Sequence, residues 1–179
     1  YWSIGQCNPG DRDHNTMELN MTIKISLTQG KFALIDVADL PIVSGYKWFT
    51  QRDRRSFYAK TNIRHADGKR KFLLMHRLLL NPPPGIQCDH IDGDGLNNMR
   101  ANLRLASKSQ NQRNRRLDRD SRTGFKGAAF HLKSGKFQAQ IRIGGKNCYL
   151  GLFQTPEEAH AAYCAAAVKN YGEFANPGV

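Results

Sequence analysis

The sequence predicts an α+β chain in two units. Short strands lead into a strand–turn–strand–helix segment, and a three-stranded antiparallel sheet packed on one helix follows. Three observations predict it. Residues 22–64 carry short alternating runs broken by turn residues. Cys88 to Asn114 passes from one alternating stretch through an Asp/Gly-rich turn to a second, and then to a helix-start pattern. Residues 124–176 hold three more alternating runs followed by an alanine-rich segment.

The elements can be justified in chain order. Residues 1–20 (YWSIGQCNPGDRDHNTMELN) show neither period and read as a disordered tail or non-native leader, with Met17 and Met21 both plausible starts. Residues 21–114 read as the first unit, with its core at 72–114. Thr22 to Leu27 and Phe32 to Val37 alternate around a Gln29-Gly30 turn, and Tyr58 to Ile63 reads as a third strand. Gly45-Tyr46-Lys47-Trp48-Phe49 supplies aromatic core, and Ala66-Asp67-Gly68 is a turn. Phe72 to Leu80 is apolar and helical in its later part, and the prolines at 82–84 stop it. In the Cys88–Asn114 stretch, Asp92-Gly93-Asp94-Gly95 forms the turn. It lacks the full ligand pattern of a calcium loop. Leu103 and Leu105 alternate with Asn102 and Arg104, and Ser107 with Gln110 forms a capping box that starts a helix carrying Asn111.

Residues 115–123 form a basic, polar linker. In the second unit (124–176), Gly127 to Leu132 gives a strand. Phe137, Ala139, Ile141 and Ile143 alternate with Gln138, Gln140 and Arg142, and Cys148, Leu150 and Leu152 alternate with Asn147 and Tyr149. Thr155-Pro156-Glu157-Glu158 starts a helix that Gly172 ends.

Composition narrows the function classes. The 27 Lys and Arg outnumber the 15 Asp and Glu, for a formal net charge of +12, and the excess is clustered, which predicts a polyanionic partner. No apolar run approaches the roughly twenty residues of a membrane span, and a reducing, cytoplasmic interior is the expected home. The four cysteines make no CxxC pair, so neither a zinc knuckle nor a disulfide framework is indicated.

The chemistry concentrates in CDHIDGDGLNNMRANLRLASKSQNQRN. Hydrolysis of a phosphodiester needs a base for water and positive charge on the phosphate and leaving oxygens. His90 offers the base. Asp89 and Asn111 offer two oxygen ligands, a set that suits one Mg²⁺ (or Mn²⁺) retaining several waters and does not suit structural zinc. Adjacent strand residues point to opposite faces, so a twist or bulge is expected where Asp89 and His90 serve one site.

MHRLLL, DHIDGDGLNN, ANLRLAS and Asn111 together resemble the HNH homing endonucleases and their ββα-metal (His-Me finger) fold, over about residues 72–114. The resemblance implies that His90 is the general base and that Asp89 and Asn111 are metal ligands. It makes Asn102 the asparagine that ties the hairpin together and helps orient His90. His76 matches a histidine common upstream in phage-type members, where a packed role is as open as a functional one.

Residues 124–176, with YLGLFQTPEEAHAAY at their centre, resemble the plant ethylene-response-factor (Apetala-two) DNA-binding domain, whose sheet lies in the major groove. Ala129 and His131 stand where that family commonly has arginine, and phenylalanine replaces other aromatics at Phe125 and Phe137, so the plant target sequence does not carry over. The polar strand face offers Gln138, Gln140, Arg142 and Tyr149 to base edges, with Lys126, His131, Lys133, Lys136 and Lys146 around it. Arg104, Arg113, Arg115 and Arg116 add phosphate contacts.

The resulting expectation is a metal-dependent DNA endonuclease that nicks duplex DNA, as a monomer or weak homodimer. The second unit would supply targeting, and the linker's effective concentration would combine the two affinities. A non-catalytic DNA-binding regulator, or an RNA-acting protein, remains open at this point.

Overall fold

The computed structural model describes residues 22–53, 56–64, 68–115, 117 and 121–178, so the expectations for residues 1–20 and for Arg116 lie outside the described residues. The chain is α+β with antiparallel sheets. Among the described residues no helix is long and apolar enough to cross a membrane.

In the first unit, β1 (Thr22–Ser26) and β2 (Phe32–Asp36) form a hairpin. A short helix α1 (Leu40–Val43) follows. Next comes the sheet β3 (Phe49–Asp53), β4 (Ser56–Arg64), β5 (Arg70–Leu74), with β4 central. The expected third strand falls within β4. Its two partners were not expected, because FTQRD and RKFLL lack clean alternation; what makes them strands is pairing to β4, as in Thr50↔Ala59 and Thr61↔Leu73. Helix α2 (Met75–Leu80) follows β5 without a gap. It ends where Asn81 turns left-handed at φ 43° ahead of the prolines.

Apolar residues from β2, α1, β4 and α2, with Trp48 and Leu103, meet in one core of Ala33, Ile35, Val43, Trp48, Ala59, Met75, Leu79 and Leu103. The Trp48 indole is satisfied inside it, donating to the Val43 carbonyl at 2.9 Å.

A hairpin of β6 (Gln87–His90) and β7 (Leu103–Ala106) and then helix α3 (Lys108–Arg113) complete this unit. The Ser107–Gln110 capping box is formed, with both reciprocal bonds present. The long connection between β6 and β7 has little regular structure of its own, so its backbone groups need partners from elsewhere. The β1–β2 hairpin supplies them. Leu34 donates to the Leu96 carbonyl, and Asn98 donates to the Leu34 carbonyl, both at 2.8 Å. The Arg100 backbone amide donates to Asp36 at 2.7 Å, and its guanidinium grips buried Asp39 at 2.7–3.1 Å. The short leading strands thus splint the loop that follows His90.

The second unit is the sheet β8 (Ala128–His131), β9 (Lys136–Ile143), β10 (Lys146–Phe153), with β9 central and α4 (Pro156–Tyr171) packed on one face. Ile141 meets Tyr163, Ala167 and Tyr171, while Ala139 and Ala159 are fully buried. The Thr155–Glu158 capping box and Pro156 start the helix, and Tyr171 is its last residue.

Gly95 fixes how the loop lies against the central sheet. Its amide donates to Ser56 Oγ at 3.1 Å. A Cβ there would stand 2.5 Å from the Phe57 carbonyl oxygen and would overlap the Tyr58 ring. Gly95→Ala is expected to cost about 1–3 kcal/mol in urea unfolding, by forcing backbone and ring apart; an unchanged midpoint would contradict this packing.

Candidate active site

Strand β6 carries the two central residues. The β6–β7 register is regular, pairing Asp89 with Arg104 and His90 with Leu103, so of the expected twist or bulge no bulge is formed. The side chains instead diverge. Asp89 goes toward α3 and the C-terminal segment, and His90 toward β4 and α2. Both line one open cleft of about 1310 Å³, with Tyr58, His76, Asn111 and Asn114.

Asp89 is 4% exposed. Arg104 holds its Oδ2 through Nε and Nη2, each at 2.8 Å. Asn114 Nδ2 reaches both carboxylate oxygens, at 3.0 and 3.1 Å, and also the His90 carbonyl at 2.8 Å. One amide group thus ties Asp89 to the backbone of its neighbour.

His90 is buried, with its ring edge-on to His76 at 4.9 Å and 5.9 Å from Tyr58. Its Nε2 lies 3.5 Å from Asn98 Oδ1. Asn98 is completely buried, and its own Nδ2 donates to the Leu96 carbonyl, which directs Oδ1 at the imidazole. A proton on Nε2 satisfies that oxygen and leaves Nδ1 as the basic nitrogen. Burial pulls the His90 pKa below its ordinary value, against the Asn98 hydrogen bond and the charges of Asp92, Asp89 and Asp94. The ring is therefore neutral and basic at pH 7.

His76 is buried beside it and held down to about 3, chiefly by desolvation and then by His90 and Arg77. Its Nδ1 has no hydrogen-bond partner among the described residues.

Asn102 does tie the turn together. Its Nδ2 donates to Asp92 Oδ1 and the Asn97 carbonyl, and its Oδ1 accepts from the Asp92 amide. These bonds draw both ends of the carboxamide into the loop, so the side chain that meets His90 is Asn98, not Asn102. Asn98 and Asn114 were not singled out from sequence. The second asparagine of Asn97-Asn98, and the three-residue spacing of Asn111 and Asn114 on a helix, are the signals that could have found them.

Asn111 projects from α3 and donates to Gln87 Oε1 at 2.7 Å. One carboxylate with one carboxamide in a shared cleft fits a hard divalent ion that keeps most of its water. Arg104 crowds Oδ2, which makes Asp89 Oδ1 the oxygen better able to take a further bond. Among the described residues there is no cluster of three or more His, Cys, Asp or Glu that would make a closed site.

Two predicted DNA contacts are used internally. Arg104 stands directly opposite Asp89, its side chain only 12% exposed, and stacks on Phe174 at 3.9 Å. Lys126 Nζ donates to the carbonyls of Arg113, Arg115 and Asn176 at 2.7–2.9 Å, and burial lowers its pKa to about 8. Neither cation is presented to a phosphate; a partner closer at hand has taken each. Arg113 packs over the Tyr171 ring at 4.5 Å, and Arg115 is exposed at the cleft. On the second sheet, register places His131, Lys136, Gln138, Gln140, Arg142 and Tyr149 on the face away from α4, with Gln140, Arg142 and Tyr149 exposed. Lys133 and Lys146 are exposed near the strand ends.

A family model described as HNH endonuclease matches residues 81–113. An uncharacterised HNH endonuclease of Acanthamoeba polyphaga mimivirus is 30% identical over 155 residues, covering 83% of this chain and 75% of that protein. A match of that extent takes in the β6–β7 hairpin and most of the second sheet. No solved structure matches the chain.

His76 sets a pH dependence. Its folded pKa, about 3, lies below the ordinary 6.5, so the unfolded chain binds the extra proton between those values and stability falls as pH drops from 6.5 toward 3. His76→Phe removes this contribution, and its unfolding free energy is expected to fall by on the order of 4 kcal/mol less than wild type across that window. Equal slopes for the two proteins would show that His76 is not buried neutral.

Proposed function

This chain belongs to the HNH endonuclease family and is a DNA nuclease, and from that premise we propose that it hydrolyses one strand of duplex DNA at the Asp89–His90 centre, with a divalent ion, under guidance from its second sheet. The observation that carries the reading is the buried, neutral His90 beside a fixed carboxylate in an open cleft, whose walls include Arg52, Lys60, Arg77 and Arg115.

In this reading β6, β7 and α3 are the ββα-metal core. His90 Nδ1 takes the proton of the attacking water, while its Nε2 keeps the proton it donates to Asn98 Oδ1. Burial under Tyr58 and His76 keeps the imidazole unprotonated and fixes its plane. Asp89 and Asn111 would hold one Mg²⁺ or Mn²⁺. When bound, the ion supplies positive charge to the phosphate oxygens and the leaving 3′-oxygen. Arg104 and Asn114 keep the Asp89 carboxylate in place, and Asn102 closes the turn that follows His90. The products are a 5′-phosphate and a 3′-hydroxyl.

The second unit is read as an ethylene-response-factor type domain whose outer sheet face enters the major groove. Gln140 and Arg142 reach base edges there, Tyr149 lies beside them, and Lys133 and Lys146 hold phosphates. One active site per chain makes a nick the product of a monomer.

The test is cleavage of supercoiled DNA with Mg²⁺. Wild type is expected to give open circles, and EDTA to stop the reaction. His90→Ala is expected to lose about 10²–10⁴-fold in rate with DNA affinity retained. Gln140→Ala with Arg142→Ala is expected to weaken binding about tenfold or more, with little change in the rate of bound DNA. Binding without cleavage by wild type across several DNAs, with Mn²⁺ as well, would contradict the nuclease assignment for this site; linear product from a strict monomer would contradict nicking.

A further inference from the structure

The two groups that hold Asp89 are themselves held by the chain beyond α4. Arg104 Nη1 donates to the Glu173 carbonyl at 2.6 Å, and its guanidinium lies on the buried Phe174 ring. Asn176 Nδ2 donates to the Asn114 carbonyl at 2.8 Å and to Asn114 Oδ1 at 3.1 Å. Asn176 is fixed in turn. Its Oδ1 accepts from the Gly178 amide at 2.7 Å, and its carbonyl accepts from Lys126 Nζ. Lys126 also binds the carbonyls of Arg113 and Arg115, on either side of Asn114.

We infer that residues 173–176 are a working part of the nuclease centre and that Asn176 is a positioning residue for Asp89, acting through Asn114. The inference rests on the reading of Asp89 as a ligand of the divalent ion.

The physical reason lies in the symmetry of a carboxamide. Its oxygen and nitrogen ends have nearly the same shape, so hydrogen-bond partners alone decide which end faces where. Asn114 must turn its NH₂ toward Asp89. The Asn176 donor on Asn114 Oδ1 makes the opposite orientation unfavourable, because that would set NH₂ against NH₂ and bring an oxygen against the carboxylate. The acceptors on the other side, Asp89 and the His90 carbonyl, favour the same orientation, so losing the Asn176 donor weakens this selection and loosens Asp89 without touching the cleft. The same segment leads back to the second sheet, where the Tyr171 hydroxyl donates to the Arg142 carbonyl at 2.6 Å. The targeting face and the catalytic carboxylate are therefore joined by packed, hydrogen-bonded structure.

The test uses full-length Asn176→Ala with three readouts: DNA affinity, cleavage kinetics, and Mn²⁺ affinity of the DNA-free protein by electron paramagnetic resonance. The expected result is kcat lower by about tenfold and Mn²⁺ binding weaker by a similar factor, with DNA affinity and KM unchanged. Raising Mn²⁺ should restore part of the rate, which a general loss of structure would not allow. If the variant is unfolded at the assay temperature, Asn176→Asp keeps the volume and puts an oxygen where the donor stood, and the same losses are expected. Wild-type kcat and Mn²⁺ affinity in a folded variant would overturn the inference. If wild type cleaved no DNA, the nuclease reading would fail, and the Mn²⁺ titration alone would decide whether Asn176 positions Asp89.

Discussion

The ion pair between Asp89 and Arg104 is the constraint on which the rest of this structure turns. A carboxylate 4% exposed to solvent is costly unless its charge and lone pairs are met, and removing one partner of such a pair typically costs about 3–5 kcal/mol. Arg104 meets the charge from directly across the hairpin, and Asn114 donates to both carboxylate oxygens from the end of α3. Those two demands fix the β6–β7 register and the placement of α3. The C-terminal segment then satisfies the far side of both partners. Polar groups that would be ruinous singly form a connected set in which each is satisfied by the next.

His90 has the opposite requirement. Burial against the rings of Tyr58 and His76 keeps it free of charge by desolvation, and Asn98 Oδ1 faces its Nε2. Adjacent strand positions thus place a carboxylate in a polar, charge-balanced pocket and an imidazole in a buried one walled by two rings. The loop that follows stays put because β2 lends it backbone hydrogen bonds and Asp39 anchors it through Arg100. This gives the short leading strands a purpose: they stabilise a loop too irregular to satisfy itself.

What could be read from sequence was local. Ser107–Gln110 and Thr155–Glu158 are capping boxes whose partners sit three residues apart, and both form. The Asp89–His90 pair and its spacing to Asn111 were equally visible, since motif spacing is a local property. The internal partners of Arg104 and Lys126 were not legible because a sequence shows a charge and not its partner. Arg104 bonds to residues 15 and 69 positions away, and Lys126 to one 50 away. Strands β3 and β5 escaped for a related reason: their pairing with β4, not their own pattern, makes them strands. The expectation of two modules joined by a basic linker also missed the direct contacts through Asn176, Phe174 and Lys126.

The account is tested most directly by Asp89→Asn in the full chain, with DNA binding and DNA cleavage measured on the same preparation. The substitution keeps the volume and removes the charge that Arg104 and a divalent ion would share. The account predicts DNA affinity close to wild type and cleavage reduced by at least about 100-fold. Cleavage at the wild-type rate would contradict it and place the chemistry elsewhere in the chain.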